Sequence, residues 1–309
     1  MKLKKPKFWD ESKFSLWVLF LYPISILYLI FSFFLKIKKS KKYSVPIICV
    51  GNIYLGGTGK TPLVKEIFQI TKSLGKNPAF IKKYYNYVED EINMLKKIGK
   101  TYSNKKRENS LELLIKDRFN LAILDDGFQD SSIKKNINIL CFNQKQWIGN
   151  GFVMPAGPLR ESFSNINKAD CIFINGQKDM GIEKKLYEEN RNVEIYYSKY
   201  RPIEIEKFKG KKICAFAGIG NPSNFFDLLE ENNLNLIKTF SFPDHHNYSY
   251  SEISNMFKKC NDCELVTTEK DYFRIAASSI PKGFQIQFLK VELEIENKGN
   301  FIKLIKDKI

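Results

Sequence analysis

A glycine-rich segment between an apolar run and an amphipathic stretch constrains this chain more than any other feature. The run Val45–Val50 leads into the letters GNIYLGGTGKT, and the amphipathic stretch follows from Pro62. A strand, a glycine loop and a helix N-terminus in this order bind phosphate through backbone N–H groups. The lysine of such a loop reaches the phosphate oxygens, and its hydroxyl can bind a magnesium ion. The residues predicted to bind the phosphates of ATP are Gly56, Gly57, Thr58, Gly59, Lys60 and Thr61.

The loop departs from the usual phosphate-binding pattern at one position. Tyr54 stands where the first glycine of GxxxxGK would fall, so the loop is a variant similar to the GG(T/V)GKT loops of ATP-dependent proteins. The charged turn after Leu265, with the letters LVTTEKD, does not supply the NKxD spacing expected of a guanine-binding protein. The sequence therefore favours ATP over GTP.

A pair of carboxylates follows another apolar run. Leu121–Leu124 ends in Asp125 and Asp126, and Gln129 lies three residues further on. Enzymes with a phosphate loop place the carboxylate that holds magnesium, directly or through water, at the end of a strand. We therefore expect Thr61, Asp125 and Asp126 to hold Mg²⁺.

Short apolar runs alternate with amphipathic segments along the rest of the chain, which predicts an α/β fold with a parallel sheet covered on both faces. The polar stretch 84–109 lacks a clear strand and is predicted to be a helix with loops. A charged segment near residue 205 suggests a boundary between a phosphate-loop core, 43–205, and a smaller α/β domain, 206–309. The predicted strands include Val45–Val50, Leu121–Leu124, Ile137–Phe142, Cys171–Ile174, Ile213–Ala217, Leu265–Thr268 and Ile286–Val291.

The N-terminal residues 1–42 predict a hydrophobic membrane helix with basic flanks. Phe14–Leu35 contains no charged residue and, as a helix, would be about 33 Å long, enough for a bilayer core. A spanning helix and a helix within one leaflet are both compatible with these flanks. Half of the net charge of +16 lies in residues 1–42, which indicates an anionic membrane or lipid partner and argues against nucleic acid.

The cysteines do not suggest a disulfide framework. Cys49, Cys141, Cys171 and Cys214 lie in apolar runs, where a free thiol packs as a small hydrophobic side chain. Cys260 and Cys263 form a CxxC pair, but no second pair lies nearby to complete a zinc site. We therefore expect free thiols in a reducing compartment.

Two polar clusters are compatible with either a site or an exposed turn. The chain has two histidines, His245 and His246, directly after Asp244, and a histidine beside carboxylates can orient a general base. Arg160 ends the turn-rich letters MPAGPLR, and its guanidinium suits phosphate as well as solvent.

Several segments together resemble the tetraacyldisaccharide 4′-kinases, the lipid A 4′-kinases of Gram-negative bacteria. The matching letters occur in the family's order between Val50 and Asp271: VGNIYLGGTGKTP, LDDGFQ, MPAGPLRE, AGIGNPSNFF, FPDHHNYS and LVTTEKD. The resemblance implies γ-phosphoryl transfer from Mg-ATP to the 4′-hydroxyl of an anionic acylated disaccharide lipid. It also implies a location at the cytoplasmic face of the inner membrane.

The resemblance also implies roles for individual residues. Asp90 would be the catalytic base with His245 supporting it, and Arg160 and Gln129 would contact the substrate. The family's GDEP segment has lost its glycine and proline here, so Glu89 and Glu91 remain candidates for the base. The family's SRGYG appears as KKYYN from Lys82, and DDGFQ continues as Asp130-Ser131 instead of His-Arg. The alternative function is a membrane-tethered ATPase that uses the same loop as a conformational switch.

Overall fold

The computed structural model describes residues 5–11, 15–35, 40–85, 88–260, 262–275, 280–281, 283 and 285–309. It divides into a large unit, 3–84, 98–199 and 293–309, and a small unit that includes 85–97 and 200–292. The boundary expected from sequence at residue 205 divides the chain into two continuous ranges. The structure instead groups residues by their contacts, so 85–97 belongs to the small unit and 293–309 to the large unit.

Helix α1, Leu16–Leu35, belongs to the large unit and is apolar along its whole length. Among the described residues, one helix, at Leu16–Phe34, is long and apolar enough to cross a membrane. Most of its side chains are exposed, but Val18 and Ser25 are buried, and Tyr28 and Leu29 pack against a core cluster of the large unit. One side of α1 therefore lies on the protein along much of the helix.

The large unit contains a parallel sheet in the strand order β3-β2-β4-β1-β5-β6-β7. Its central strand β1 is buried throughout because IICVG is apolar on both faces. The strands are β1 Ile47–Gly51, β2 Pro78–Lys83, β3 Thr101–Asn104, β4 Leu121–Asp125, β5 Ile137–Asn143, β6 Cys171–Asn175 and β7 Glu194–Ile203. The helices are α2 Lys60–Ser73, α4 Arg107–Lys116, α5 Met180–Glu189, α9 Lys298–Lys308 and the short 3-10 helices Lys7–Trp9 and Phe163–Lys168.

The small unit contains a parallel sheet in the order β11-β10-β8-β9. Helix α7 begins with a capping box in which Ser249 and Glu252 satisfy each other's backbone N–H groups. Its elements are α3 Glu89–Lys96, a 3-10 helix Ile205–Phe208, β8 Lys212–Ala217, α6 Ser223–Glu231, β9 Asn235–Ser241, α7 Tyr250–Lys259, β10 Glu264–Thr268, α8 Glu269–Arg274 and β11 Ile286–Ile295.

Two sequence-based expectations are wrong. The stretch 84–109 contains the strand β3, whose letters TYSN carry no apolar alternation because the strand lies at the edge of the sheet. Cys214 is not a free thiol, since it forms a disulfide with Cys260. The pairing depends on β8 meeting the end of α7, which the spacing of 46 residues does not reveal. Cys49, Cys141, Cys171 and Cys263 are free.

Candidate active site

The phosphate loop of the large unit has the backbone that the sequence predicts. Chain direction reverses between β1 and α2, and Gly56 and Gly59 take positive φ values of 146° and 91°, which side chains disfavour. The side-chain amide of Asn52 donates to the carbonyl oxygens of Tyr54 at 2.6 Å and Gly56 at 3.2 Å. These two bonds stabilise the backbone of the loop. Helix α2 then begins at Lys60, which leaves N–H groups at its first turn to bind an anion.

Tyr54, at the position of the missing glycine, is fully buried and connects the loop to the N-terminal segment. Its hydroxyl donates to the Asp10 carboxylate at 2.6 Å. Burial, together with this carboxylate, raises the pKa of Tyr54, so its hydroxyl keeps its proton at neutral pH. Tyr54 therefore lacks the backbone flexibility of a glycine, but its hydroxyl links the phosphate loop to Asp10.

Asp126 lies where three cations of the large unit converge. Its carboxylate oxygens lie 3.0 and 3.1 Å from Nη1 of Arg160, and one of them is 3.7 Å from Nζ of Lys60. Burial opposes ionisation, but Lys60, Arg160 and Lys82 outweigh it and hold the pKa of Asp126 well below its usual value. The structure thus brings together Lys60, Asp126 and Arg160 from separate sequence motifs.

Asp125, at the end of β4, is buried and accepts a hydrogen bond from Nζ of Lys82 at 2.7 Å. Lys82 is itself only 6% exposed at its side chain and belongs to β2, the neighbour of β4 in the sheet. Sequence reasoning missed Lys82 as a site residue. The sequence feature that indicates it is the position of Lys82 directly after four apolar strand residues. A lysine buried in a strand needs a carboxylate partner.

Arg107 holds the turn that follows β4. Its guanidinium donates to the carbonyl oxygen of Asp126 at 2.5 Å and to the Asp130 carboxylate at 3.0 Å. The backbone of Asp126 needs such support because its φ of 61° is unusual for a residue with a side chain. Asp130, a departure from the family pattern, therefore serves as the partner of a buried arginine.

Gln129 contacts the phosphate loop itself, because its side-chain amide donates to the carbonyl oxygen of Asn52 at 2.7 Å. This bond ties the turn after β4 to the start of the loop. The predicted contact of Gln129 with substrate stays a prediction.

Oxygen donors suited to magnesium lie at the start of α2 and at the end of β4. Thr61 is in the first turn of α2, Asp125 is the last residue of β4, and Asp126 follows it. Among the described residues no group of three or more His, Cys, Asp or Glu side chains forms a metal cluster. Magnesium keeps several waters and uses one or two protein carboxylates together with nucleotide phosphates, so this sparse oxygen set fits it.

A second polar cluster lies in the small unit and contains Asp90 and His245. Asp90 is buried in the first turn of α3, and one of its oxygens lies 3.5 Å from Nδ1 of His245. Glu91 in the same turn binds Nζ of Lys270 at 2.8 Å, whereas Glu89 is exposed. The Asp90 and Glu91 carboxylates thus both lie near His245, at 3.5 Å from Nδ1 and 3.9 Å from Nε2, whereas Glu89 lies outside this cluster.

The two adjacent histidines have different surroundings. His245 takes a φ of 57° and lies among Asp90, Glu91 and Asp244. His246 bonds to Glu252 at 3.0 Å and stacks on Phe242. Only His245 therefore belongs to the cluster around Asp90.

Neighbouring charges keep the Asp90 carboxylate of this cluster ionised. Burial works against ionisation of Asp90, but the hydrogen bond from His245 and the charges of Lys270 and Arg274 lower its pKa to about 2. Burial of Lys270 alone would lower its pKa, but Glu91, Asp244 and Asp90 raise it overall. Asp90 is thus a carboxylate and Lys270 an ammonium at neutral pH.

Arg274 is the buried hub of the small-unit cluster, and sequence reasoning missed it. It donates to Asp90 at 2.6 and 3.0 Å, and to Asp271 and the carbonyl oxygen of Gly218. Because Arg274→Ala removes the cation that bonds to two buried carboxylates, we expect it to lower the free energy of unfolding by about 3 to 5 kcal/mol. Urea denaturation monitored by fluorescence would measure this loss.

Arg201→Ala is the matched control, because Arg201 is 64% exposed and pairs with an exposed Glu292. Exposed pairs contribute about 0 to 1 kcal/mol. Equal losses in the two variants would contradict the role of Arg274 as a buried hub.

A parallel sheet that leads into a phosphate loop, with a lysine, an arginine and paired carboxylates around it, defines a phosphate-loop phosphotransferase. The model of the tetraacyldisaccharide-1-P 4′-kinase family matches residues 17–309. The chain belongs to this family and is a kinase of lipid A biosynthesis. The predicted family, kinase activity and α/β fold are confirmed, and the ATPase switch is set aside.

Individual relatives agree with the family match. The tetraacyldisaccharide 4′-kinase of Pelagibacter ubique (strain HTCC1062) is 41% identical over 99% of this chain and 98% of the relative. That of Rickettsia bellii (strain OSU 85-389) is 34% identical over 96% of each chain. The crystal structure of "apo" form LpxK from Aquifex aeolicus in complex with ATP has a TM-score of 0.69 and 22% identity, and covers 93% of this chain and 97% of that chain. This likeness shows the fold.

Proposed function

We propose that the chain transfers the γ-phosphate of ATP to the 4′-hydroxyl of a tetraacyldisaccharide 1-phosphate at the cytoplasmic face of the inner membrane. The observation that carries this proposal is the convergence of Lys60 and Arg160 on Asp126 beside the phosphate loop. The name and ATP complex of the related kinases support the choice of substrates. The direct test is transfer of labelled γ-phosphate from ATP to purified disaccharide lipid.

On the donor side, the protein positions and neutralises the phosphates. The N–H groups at the start of α2 and the loop glycines would bind phosphate oxygens, and Lys60 would reach the β- and γ-phosphates. Arg160 offers a planar fork that suits the γ-phosphate. Because both cations already face Asp126, their side chains are preorganised near the loop, which limits the ordering needed at the moment of transfer.

Thr61, Asp125 and Asp126 would hold magnesium together with the nucleotide. The ion would neutralise charge on the β- and γ-phosphate oxygens when bound. Lys82 holds the Asp125 carboxylate in place for this role through their buried 2.7 Å hydrogen bond.

On the acceptor side, Asp90 would accept the proton of the 4′-hydroxyl and His245 would orient it. A carboxylate with a pKa of about 2 is a weak base at neutral pH. Phosphoryl transfer passes through a loose transition state, and its catalysis is mainly positioning, so an ionised carboxylate that aligns the hydroxyl is sufficient. The buried position of Asp90, in contrast to exposed Glu89, favours Asp90 for this role.

Helix α1 would lie within one leaflet, with its exposed apolar side chains in the acyl region. The middle of a spanning helix would be surrounded by lipid, whereas Ser25 and Tyr28 in the middle of α1 contact the large unit. Lysines on both sides of the helix would bind anionic headgroups. This placement would bring the acylated substrate and the phosphate loop to the same membrane surface.

Replacement of Leu19, Leu27 and Phe31 by Asp should release the chain from anionic vesicles at high salt. These side chains are 60%, 65% and 64% exposed, so the change removes lipid contacts while the packed side of α1 is kept. Flotation with vesicles measures binding. Ile237→Asp, at an exposed apolar position on β9, is the control and should float like the unaltered chain. If the triple variant also floats, a second surface binds the membrane.

A further inference from the structure

The hydroxyl of Ser25 is a buried polar group on the apolar helix α1. Ser25 is only 2% exposed, although most of the helix is exposed. Its hydroxyl donates to the carbonyl oxygen of Val153 at 2.8 Å and accepts from the N–H of Ala156 at 3.0 Å. An alanine would fit here but could not make these two hydrogen bonds. The serine fixes two backbone groups of one turn at the same time.

That turn belongs to residues 152–160, which we call the arginine loop because Arg160 ends it. Two further side chains from the N-terminal segment reach the same loop. Trp9 Nε1 donates to the carbonyl oxygen of Pro155 at 3.0 Å, and the Tyr28 hydroxyl donates to that of Arg160 at 3.2 Å. The N-terminal helices thus contact the arginine loop at its start, middle and end.

The arginine loop also joins the phosphate loop through backbone bonds. The N–H of Arg160 donates to the carbonyl oxygen of Ile53 at 2.7 Å, and the N–H of Leu55 donates to that of Pro158 at 2.8 Å. The guanidinium of Arg160 then binds Asp126. A continuous set of contacts therefore leads from the lipid-facing helix to the charged centre of the site.

We infer that Ser25 is a positioning residue, through which α1 holds the arginine loop and sets the place of Arg160 for phosphoryl transfer. The inference rests on the proposed role of Arg160 in that reaction. Without the hydroxyl, the buried N–H of Ala156 loses its partner and must move or remain unsatisfied, whereas the Val153 carbonyl keeps the N–H of Gly157 at 3.1 Å. Loss of the hydroxyl therefore shifts the loop at Ala156. A misplacement of about 1 Å in a catalytic group can cost a hundredfold in rate. Helix α1 is then part of the catalytic scaffold as well as a membrane anchor.

The test compares Ser25→Ala with Ser32→Ala in the full-length chain on vesicles that contain the disaccharide lipid. Ser32 lies two turns further along α1, so its replacement removes a hydroxyl from the same helix. We expect Ser25→Ala to lower kcat by roughly tenfold to a hundredfold with little change in KM for ATP. Ser32→Ala should match the unaltered chain, and both should float with vesicles. Tyr28→Phe, which keeps the ring, should lower kcat in the same direction.

A double variant separates positioning from general packing. Since Ser25 acts through Arg160, Ser25→Ala should cost less than about twofold further in an Arg160→Ala background. Multiplicative losses, or an unchanged kcat in both Ser25→Ala and Tyr28→Phe, would overturn the inference while the kinase proposal stands. Full activity of Arg160→Ala would instead overturn the proposed role of Arg160 and with it this inference.

Discussion

Lys60→Ala should lower the rate of phosphoryl transfer by roughly a thousandfold, because Lys60 is the first residue of α2 and its ammonium can neutralise phosphate charge at the phosphate loop. The expected change in stability is small, since Arg160 still pairs with Asp126 after the lysine is removed. Labelled γ-phosphate transfer measures the rate, and thermal unfolding measures stability. Near-normal turnover would contradict the assignment of the phosphate loop.

Lys72→Ala provides a matched control for this experiment. Lys72 lies in the last turn of the same helix, is exposed, and faces the Phe68 ring. Its removal changes net charge by the same amount as Lys60→Ala, so a difference between the variants reports position and not charge. We expect Lys72→Ala to keep its activity.

The phosphate loop and the strands around it were predictable because their causes are local. Glycines at positive φ, a helix start at Lys60 and fully apolar strands such as β1 and β4 leave direct marks in the sequence. Edge strand β3 has no comparable apolar run in the sequence, since its side chains are mostly half-buried and polar. Local patterns therefore predict the centre of a sheet better than its edge.

Partners from distant segments could not be predicted. The bonds of Arg274 to Asp90 join residues 184 positions apart, and the contact of Arg160 with Asp126 joins two loops that follow different strands. The sequence indicates Asp90, Asp126 and Arg160 but not Arg274, and it predicts neither pairing because both depend on the tertiary fold. The same reason explains why Cys214 was expected to be free and why the buried Lys82 was missed.

The altered sequence around Asp90 leaves the choice of the catalytic carboxylate open, and helix α3 gives the three candidates different surroundings. It places Glu89 in solvent, Asp90 3.5 Å from Nδ1 of His245, and Glu91 on Lys270 and 3.9 Å from Nε2 of His245, because successive residues on a helix point about 100° apart. One short helix thus gives three neighbouring carboxylates three different environments. The distinction can be tested with isosteric amides.

Asp90→Asn should lower kcat by roughly a hundredfold or more, because the amide keeps the shape of the side chain but lacks the negative charge that aligns the hydroxyl and takes up its proton. KM for ATP should barely change, since the substitution leaves the phosphate loop intact. Glu89→Gln is the control, because Glu89 is exposed in the same turn, and it should retain full activity. Glu91→Gln should show an intermediate loss through its contact with Lys270. Full activity in Asp90→Asn would mean that another residue is the base.

His245→Ala extends this prediction to the partner of Asp90. The Nδ1 atom of His245 lies 3.5 Å from the Asp90 carboxylate, so the two groups should act as one unit. We expect His245→Ala alone to lower kcat, and the double variant with Asp90→Asn to lose much less than the product of the single losses, since members of one unit are not additive. The labelled-phosphate assay on all three variants measures the coupling. Multiplicative losses would mean that His245 acts on the reaction by a route of its own and does not orient Asp90.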